Sequence, residues 1–445
     1  MLRFINAWVV YPLAQYREGR DILSKVRQLR QQARQSFTER RRLRQRQLAN
    51  VLEHAGEEVP YYRDLFRRLR FHPTKLLRDT RHLEDLPVLT KDIIREQGDR
   101  LISQRAKRGV LHARKTGGST GPSAVVYYSP AALDWTAAVN RAALESVGQR
   151  RWHREMHLAS RYPEEFPWQA RLREWFKTQA LNRTNVFTDH FDDHAMETLW
   201  RKLRRTRPRL VQCHPSTMFA LASYVARQGH PAHNVLSVFE STGEVLTDRQ
   251  RDLIEATFAC RAINRYGSAE FGVLAYEQLA ETRRRLHLLD AVAWPEVIEH
   301  ESGSSEIVLT GLLNEAMPLV RYRTGDLAQL GEDETGWHIW ELQGRIHDLV
   351  YIGDAAYPTH YLQDVFDRLG GIEEFQFQQQ AEGRLTVRMV VPDVTRHAPI
   401  SAQLRAWWGD GVRVEFCDFD GLRRTGWRGK FRHLVDASDE DKRAA

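Results

Sequence analysis

Residues 115–123 read Lys-Thr-Gly-Gly-Ser-Thr-Gly-Pro-Ser, with Gly117, Gly118 and Gly121 interleaved by Thr116, Ser119 and Thr120. Glycine lets a backbone approach a ligand closely, and consecutive N–H groups can form an anion-binding nest. Polyphosphate is the natural guest of such a cradle. A flexible surface turn is the other reading the stretch allows by itself. The Gly-Lys-Ser/Thr ending of a Walker loop is missing, which sets the P-loop NTPases aside. An apolar run, Val125 to Tyr128, follows as a strand.

Four later segments narrow the chemistry. They are Ser241-Thr242-Gly243-Glu244, then Tyr266-Gly267-Ser268-Ala269-Glu270-Phe271-Gly272, then Tyr322-Arg323-Thr324-Gly325-Asp326, then Gly344-Arg345-Ile346-His347-Asp348. With the glycine loop, in this order and spacing, they resemble the adenylate-forming enzymes. The similarity is to the phenylacetate–coenzyme A ligase branch and its capsule-biosynthesis (CapK-like) members, from about Leu48 to Val435.

The resemblance implies attack of a carboxylate on the α-phosphate of ATP as pyrophosphate leaves. The acyl group then passes to coenzyme A, a carrier thiol or an amine. Such a site must gather negative charge and orient the attack. By the same resemblance, the glycine loop holds the β- and γ-phosphates. Pro122 comes one place early and the closing Lys of many relatives is missing, which shifts phosphate affinity toward backbone donors. Tyr266 and Gly267 resemble one wall of the adenine pocket. Thr242, Gly243 and Glu244 resemble the other, an ordinary strand-to-helix turn being the alternative. Glu270 matches the Mg²⁺ carboxylate, with a helix-cap carboxylate as the alternative. Asp326 matches the acceptor of both ribose hydroxyls, and Arg345 the nucleotide-binding arginine. Arg323 is read as a structural ion pair. Lys430, in Trp427-Arg428-Gly429-Lys430, resembles the mobile catalytic lysine. His214 and Ser216 resemble the segment flanking the acyl pocket. His347 occupies the hinge position, where relatives carry Asp or Lys.

ATP, Mg²⁺ and coenzyme A are the cofactors so implied, and a small carboxylate the substrate. Two alternatives stay open: an adenylyltransferase that leaves AMP on its product, and a non-catalytic scaffold of polysaccharide assembly. A place in surface-polysaccharide biosynthesis is family analogy.

Those residues need elements to position them. From Arg114 to Leu342 short apolar strands alternate with helical stretches, as in Leu210 to Gln212, Val235 to Phe239 and Glu306 to Leu309, with Leu199 to Leu203 and Met218 to Val225 helical. This implies α/β layers with a largely parallel sheet, whose ligands bind beyond the strand ends. After Gly344 the texture changes. Tyr361, Leu362, Val365, Phe366 and Leu369 form a helical stripe, Phe375 to Gln378 and Leu385 to Val391 a hairpin, and Val412 to Phe416 a strand. The expectation is an α/β fold: a large N-terminal domain of layered sheets and helices over 1–343, with 1–90 helical and basic, and a small mobile α+β domain over 344–445.

The chain has 445 residues, 42% hydrophobic and 28% charged, with a net charge of +8. A basic balance suits anionic ligands such as ATP and coenzyme A. Arginines crowd Arg40 to Arg46, but no aromatic interleaving accompanies them, so nucleic acid is not an expected partner. A solvated helix face opened by Ser36 or Thr38 is expected there. Cys213, Cys260 and Cys417 are scattered and odd in number, which suits a reducing, cytoplasmic setting without disulfides. Residues 1–14 are apolar in patches and too short to span a bilayer. Docking on the protein's own body is expected for them; a membrane surface or a polysaccharide-assembly partner is the alternative.

Overall fold

The computed structural model describes residues 2–116, 124–159, 168–187, 193–279, 285–299, 305–345, 349–352, 355–358, 362, 366, 369–379, 385–425 and 430–436. Two compact units emerge, 1–152 with 263–342, and 153–262 with 343–445. Each unit thus combines segments distant in sequence, where the sequence led us to expect a break near 343 alone.

The first unit is built on antiparallel strands. Ala293–Glu299, Ser305–Gly311 and Tyr322–Asp333 are successive neighbours, and Leu286–Leu288, Gly272–Tyr276 and Arg261–Ser268 continue beyond Gly336–Arg345. The pairings described between these strands are all antiparallel. Short turns join most of these strands, and a short turn can only reverse the chain. The expectation of a largely parallel sheet is therefore corrected for this half.

Helix Phe37–Glu58 packs on this unit. Ser36 caps it, accepting from the Glu39 N–H at 3.3 Å, and the Glu39 carboxylate accepts from the Ser36 N–H at 2.9 Å. That reciprocal box satisfies two otherwise orphaned donors. Leu48, Leu52 and Ala55 form its buried stripe. The arginine cluster is not simply a solvated face. Arg40 and Arg44 both pair with Asp290, at 2.7 and 3.0 Å, and Arg41 with Glu332 at 2.7 Å. Arg44 is only 2% exposed, and its charge is answered by Asp290, Gln47 and Gln32. The segment Leu86 to Leu89 ends beside the Tyr322 strand. The Leu89 N–H donates to the Arg321 carbonyl and the Arg323 N–H to the Leu89 carbonyl, both at 2.9 Å.

The second unit carries the parallel strands. Their order is Val238–Thr242, Leu210–Cys213, Glu155–Ala159, Arg183–Phe187. Helices Trp168–Ala180, Asp193–Thr206 and Pro215–Arg227 make the crossovers that parallel pairing requires. Met218, Phe219, Leu221, Val225, Phe239 and Ile254 lie in the core they share. In the same unit a four-stranded sheet runs Val412–Cys417, Leu385–Val390, Glu374–Gln379, Leu434–Asp436. The expected hairpin is its centre, with Phe375 opposite Met389 and Phe377 opposite Val387. Phe366, Phe375, Phe377 and Leu404 bury its apolar face. Of the expected helical stripe, Leu362, Phe366 and Leu369 are described as helical; Tyr361 and Val365 lie outside the described residues. Gln250, on helix Asp248–Phe258, donates to the buried Glu374 at 3.3 Å and ties that helix to the four-stranded sheet.

Candidate active site

The glycine-rich stretch is flanked in sequence by two paired strands. Strands His112–Lys115 and Val125–Tyr128 pair antiparallel, Lys115 opposite Val125. Thr116 closes the ribbon: its N–H donates to the Ala124 carbonyl at 2.8 Å, and its hydroxyl accepts from the Ala124 N–H at 2.9 Å. Gly117, Gly118, Ser119, Thr120 and Gly121 lie outside the described residues. The base of the ribbon is anchored through Tyr128. Its hydroxyl reaches the carbonyls of Ala269, at 2.9 Å, and Glu270. Burial holds the Tyr128 pKa far above its ordinary value, so the group stays a donor. The ribbon is thereby tied to the segment that carries Glu270.

That segment and the Tyr322–Asp326 segment exchange tyrosine hydroxyls. Tyr266 donates to Asp326 at 2.7 Å, and Tyr322 donates to Glu270 at 2.7 Å. All four side chains are at most 9% exposed. Each carboxylate is thus held by a phenol from the other segment. Two glycines make the geometry feasible. A Cβ on Gly267 would lie 2.5 Å from the Gly272 carbonyl oxygen, so no other residue fits between these strands. Gly325 has φ +78°, the left-handed region that favours glycine, and turns the chain into Asp326.

Glu306 fixes that turn. It is fully buried, and its carboxylate accepts from Arg323 Nε at 2.6 Å and from the Gly325 N–H at 2.9 Å. Arg323 is thus in a structural ion pair, as expected, and its partner could not be read from the sequence. Glu306→Gln leaves one acceptor and removes the charge. We expect a loss of about 2 kcal/mol in urea unfolding. An unchanged unfolding midpoint would show that the turn does not depend on this carboxylate.

In the second unit, strand Val238–Thr242 ends at Thr242, and Gly243, with φ +85°, folds Glu244 back. Glu244 accepts from the Ser216 N–H at 3.2 Å, at the start of helix Pro215–Arg227, and from the Phe431 N–H at 2.7 Å. His214 Nδ1 lies 3.4 Å from the same carboxylate. A carboxylate at a helix N-terminus is favoured by the exposed N–H groups and the helix dipole. Glu244 therefore joins the expected nucleotide segment, the expected acyl segment and the strand Lys430–Phe431. That strand pairs with Arg424–Thr425, Lys430 opposite Thr425, and Phe431 is buried against Leu422 and Val390. The Lys430 and Arg345 side chains lie outside what is described, as does His347. Cys213 precedes His214, but burial pushes its thiol far above the usual range, which leaves no thiolate nucleophile.

No protein-family model matches the chain. A phenylacetate–coenzyme A ligase of Pseudomonas putida is 28% identical over 427 residues, covering 88% of this chain and 94% of the relative. Protein CapK of Staphylococcus aureus is 26% identical over 250 residues, 56% of this chain and 54% of its own length. The chain resembles the phenylacetate–coenzyme A ligase and CapK branch of the adenylate-forming enzymes. Among solved structures, a 2-hydroxyisobutyryl-CoA ligase in its postadenylation state, with 2-HIB-AMP, superposes with a TM-score of 0.68. It covers 90% of both chains at 18% identity, a likeness of fold.

Sequence reasoning missed Tyr128 and Glu306, whose partners lie 141 and 17 residues away. Tyr322 opens the Tyr322–Asp326 segment, but nothing in its spacing showed that it would hold Glu270.

Proposed function

We propose that this chain is an ATP-dependent carboxylate–coenzyme A ligase. It adenylates a small carboxylic acid and passes the acyl group to the thiol of coenzyme A. The observation that carries the proposal is the reciprocal pairing of Tyr266 with Asp326 and Tyr322 with Glu270. It buries two carboxylates in fixed orientations on the segments that resemble the nucleotide site. Similarity to phenylacetate–coenzyme A ligases along nearly the whole chain supports the same reading.

Each group has a chemical task. Asp326, held by the Tyr266 hydroxyl, is a short carboxylate suited to accept from a vicinal ribose diol. The flat face of Tyr266 suits adenine. Backbone N–H groups of 117–121 take the terminal phosphates. Lys430 brings a cation to the carboxylate and the α-phosphate as pyrophosphate departs, and Arg345 adds charge at ribose or phosphate. Glu270 is a hard oxygen donor oriented by Tyr322, and no group of three or more His, Cys, Asp or Glu that could hold a metal gathers among the described residues. One carboxylate completed by phosphate oxygens and water suits Mg²⁺, and Glu270 would hold it. Bound there, the ion would neutralise phosphate charge. Segment 344–445 acts as a lid turning about His347, so that adenylation and acyl transfer use different orientations. His214 and Ser216 border the acid. A role in surface-polysaccharide synthesis is the further reading that the resemblance to capsule-biosynthesis members supports, by analogy alone.

Acid-dependent exchange of labelled pyrophosphate into ATP tests the proposal. The expected result is exchange with at least one acid in a carboxylate panel, and thioester when coenzyme A is added. Stable transfer of AMP to the product would instead support the adenylyltransferase. Glu270→Gln should raise the Mg²⁺ concentration for half-maximal exchange roughly tenfold, since a neutral amide is a poor ligand for a hard cation. An unchanged Mg²⁺ dependence would remove Glu270 from the metal site.

A further inference from the structure

The helix at the N-terminus docks through a mixed face of Asn6, Ala7 and Gln15 and leaves its large apolar side chains outside. Residues 2–17 run helically through Leu2–Ile5, a π-helical turn Asn6–Val10, and Tyr11–Arg17. Asn6 and Gln15 are buried, with Ala7 between them, at 9% and 7% exposure. Leu2, Phe4, Trp8, Leu13 and Tyr16 are 50–86% exposed. An amphipathic helix packed on its own protein turns its apolar stripe inward; this one leaves its large apolar side chains exposed. The π-helical turn leaves the consecutive Val9 and Val10 both on the outer side. The segment is nevertheless held in place. Phe4 and Trp8 stack on Trp152 at 5.8 and 6.0 Å, and the Arg151 guanidinium lies 4.7 Å from the Trp8 ring centre. The expected docking on the protein's own body occurs, but it leaves the apolar face uncovered.

Charge indicates what covers it. Residues 1–35 contain Arg3, Arg17, Arg20, Lys25, Arg27, Arg30 and Arg34 against only Glu18 and Asp21. Arg17, Arg27 and Arg34 are exposed. We propose that this helix is an interfacial anchor, laying its apolar face among the headgroups of an anionic membrane surface. Leu and Val side chains with Trp and Tyr, beside exposed arginines, match both components of such a surface: the acyl boundary and the acidic headgroups. The helix is too short to span the hydrocarbon core, and no described helix is long and apolar enough to cross a membrane. The anchor therefore lies in the interface plane.

The test is sedimentation of the full chain with vesicles of phosphatidylcholine, pure or with about a third phosphatidylglycerol. The protein should pellet with the anionic vesicles and partition roughly tenfold more weakly onto the neutral ones. The double variant Val9→Glu/Leu13→Glu should lose roughly tenfold in partition with an unchanged melting temperature. Arg17→Glu/Arg27→Glu, which alters exposed charge alone, should erase the preference for anionic vesicles. Wild-type protein left in the supernatant overturns the proposal, as do equal binding to both vesicles and wild-type binding by either variant. A dimer of the protein alone, dissolved by Val9→Glu/Leu13→Glu, also overturns it, because a second copy then covers the face.

Discussion

Lys430→Ala should cut acyl-adenylate formation by roughly a hundred- to a thousandfold, the usual cost of deleting one fixed group that stabilises transition-state charge. Thioester formation from pre-made acyl adenylate should stay near wild type, because the proposed lysine acts only while pyrophosphate leaves. The backbone around it is well anchored. Phe431 is buried, its N–H is held by Glu244, and Lys430 pairs with Thr425 across a short ribbon. Truncating the side chain leaves those contacts in place, so loss of activity would report chemistry rather than unfolding. Single-turnover measurement of each half-reaction checks this. Equal losses in both halves would remove Lys430 from the adenylation step.

Asp326→Ala should raise the KM for ATP by ten- to a hundredfold, since one hydrogen bond to a charged group is worth roughly 1.5–3 kcal/mol. The variant also strands the buried Tyr266 hydroxyl, which now donates to Asp326 at 2.7 Å. Asp326→Asn separates the two effects. It keeps an acceptor for Tyr266 while removing the charge, so KM should still rise and the melting temperature should hold. An ATP KM unchanged in both variants would place the nucleotide elsewhere.

Much of this arrangement was legible in the sequence because glycine and paired polar residues mark places where a backbone must bend or come close. Gly267 and Gly325 are such places, and the structure gives each a steric or dihedral reason. The helix cap, expected at Ser36 or Thr38 and found at Ser36, and the central hairpin of the C-terminal sheet followed from local signals. Other features depend on contacts that no local signal carries. Strand His112–Lys115 has no apolar alternation and is mostly exposed, so the first half of the glycine-loop ribbon went unseen. Tyr128 reaches Ala269 across the unit, Arg44 reaches Asp290, and Glu244 reaches Phe431; none of these pairs is close in sequence. The direction of strand pairing was misjudged for 263–342, because alternating apolar runs look alike whether a short turn or a helix joins them. The N-terminal helix shows the same limit. Its composition revealed apolar patches, but only the fold shows that Asn6 and Gln15, not Leu2 and Leu13, face inward.

The central claim is that the acid's own oxygen attacks the α-phosphate of ATP. It can be tested with a panel of carboxylic acids, phenylacetic acid among them, carrying heavy oxygen in the carboxyl group. The protein is incubated with ATP, Mg²⁺ and coenzyme A, and the products are weighed by mass spectrometry. AMP should gain one heavy oxygen for each thioester formed, with pyrophosphate released unlabelled. Thioester formed alongside unlabelled AMP, or AMP found covalently on a stable product, would contradict it.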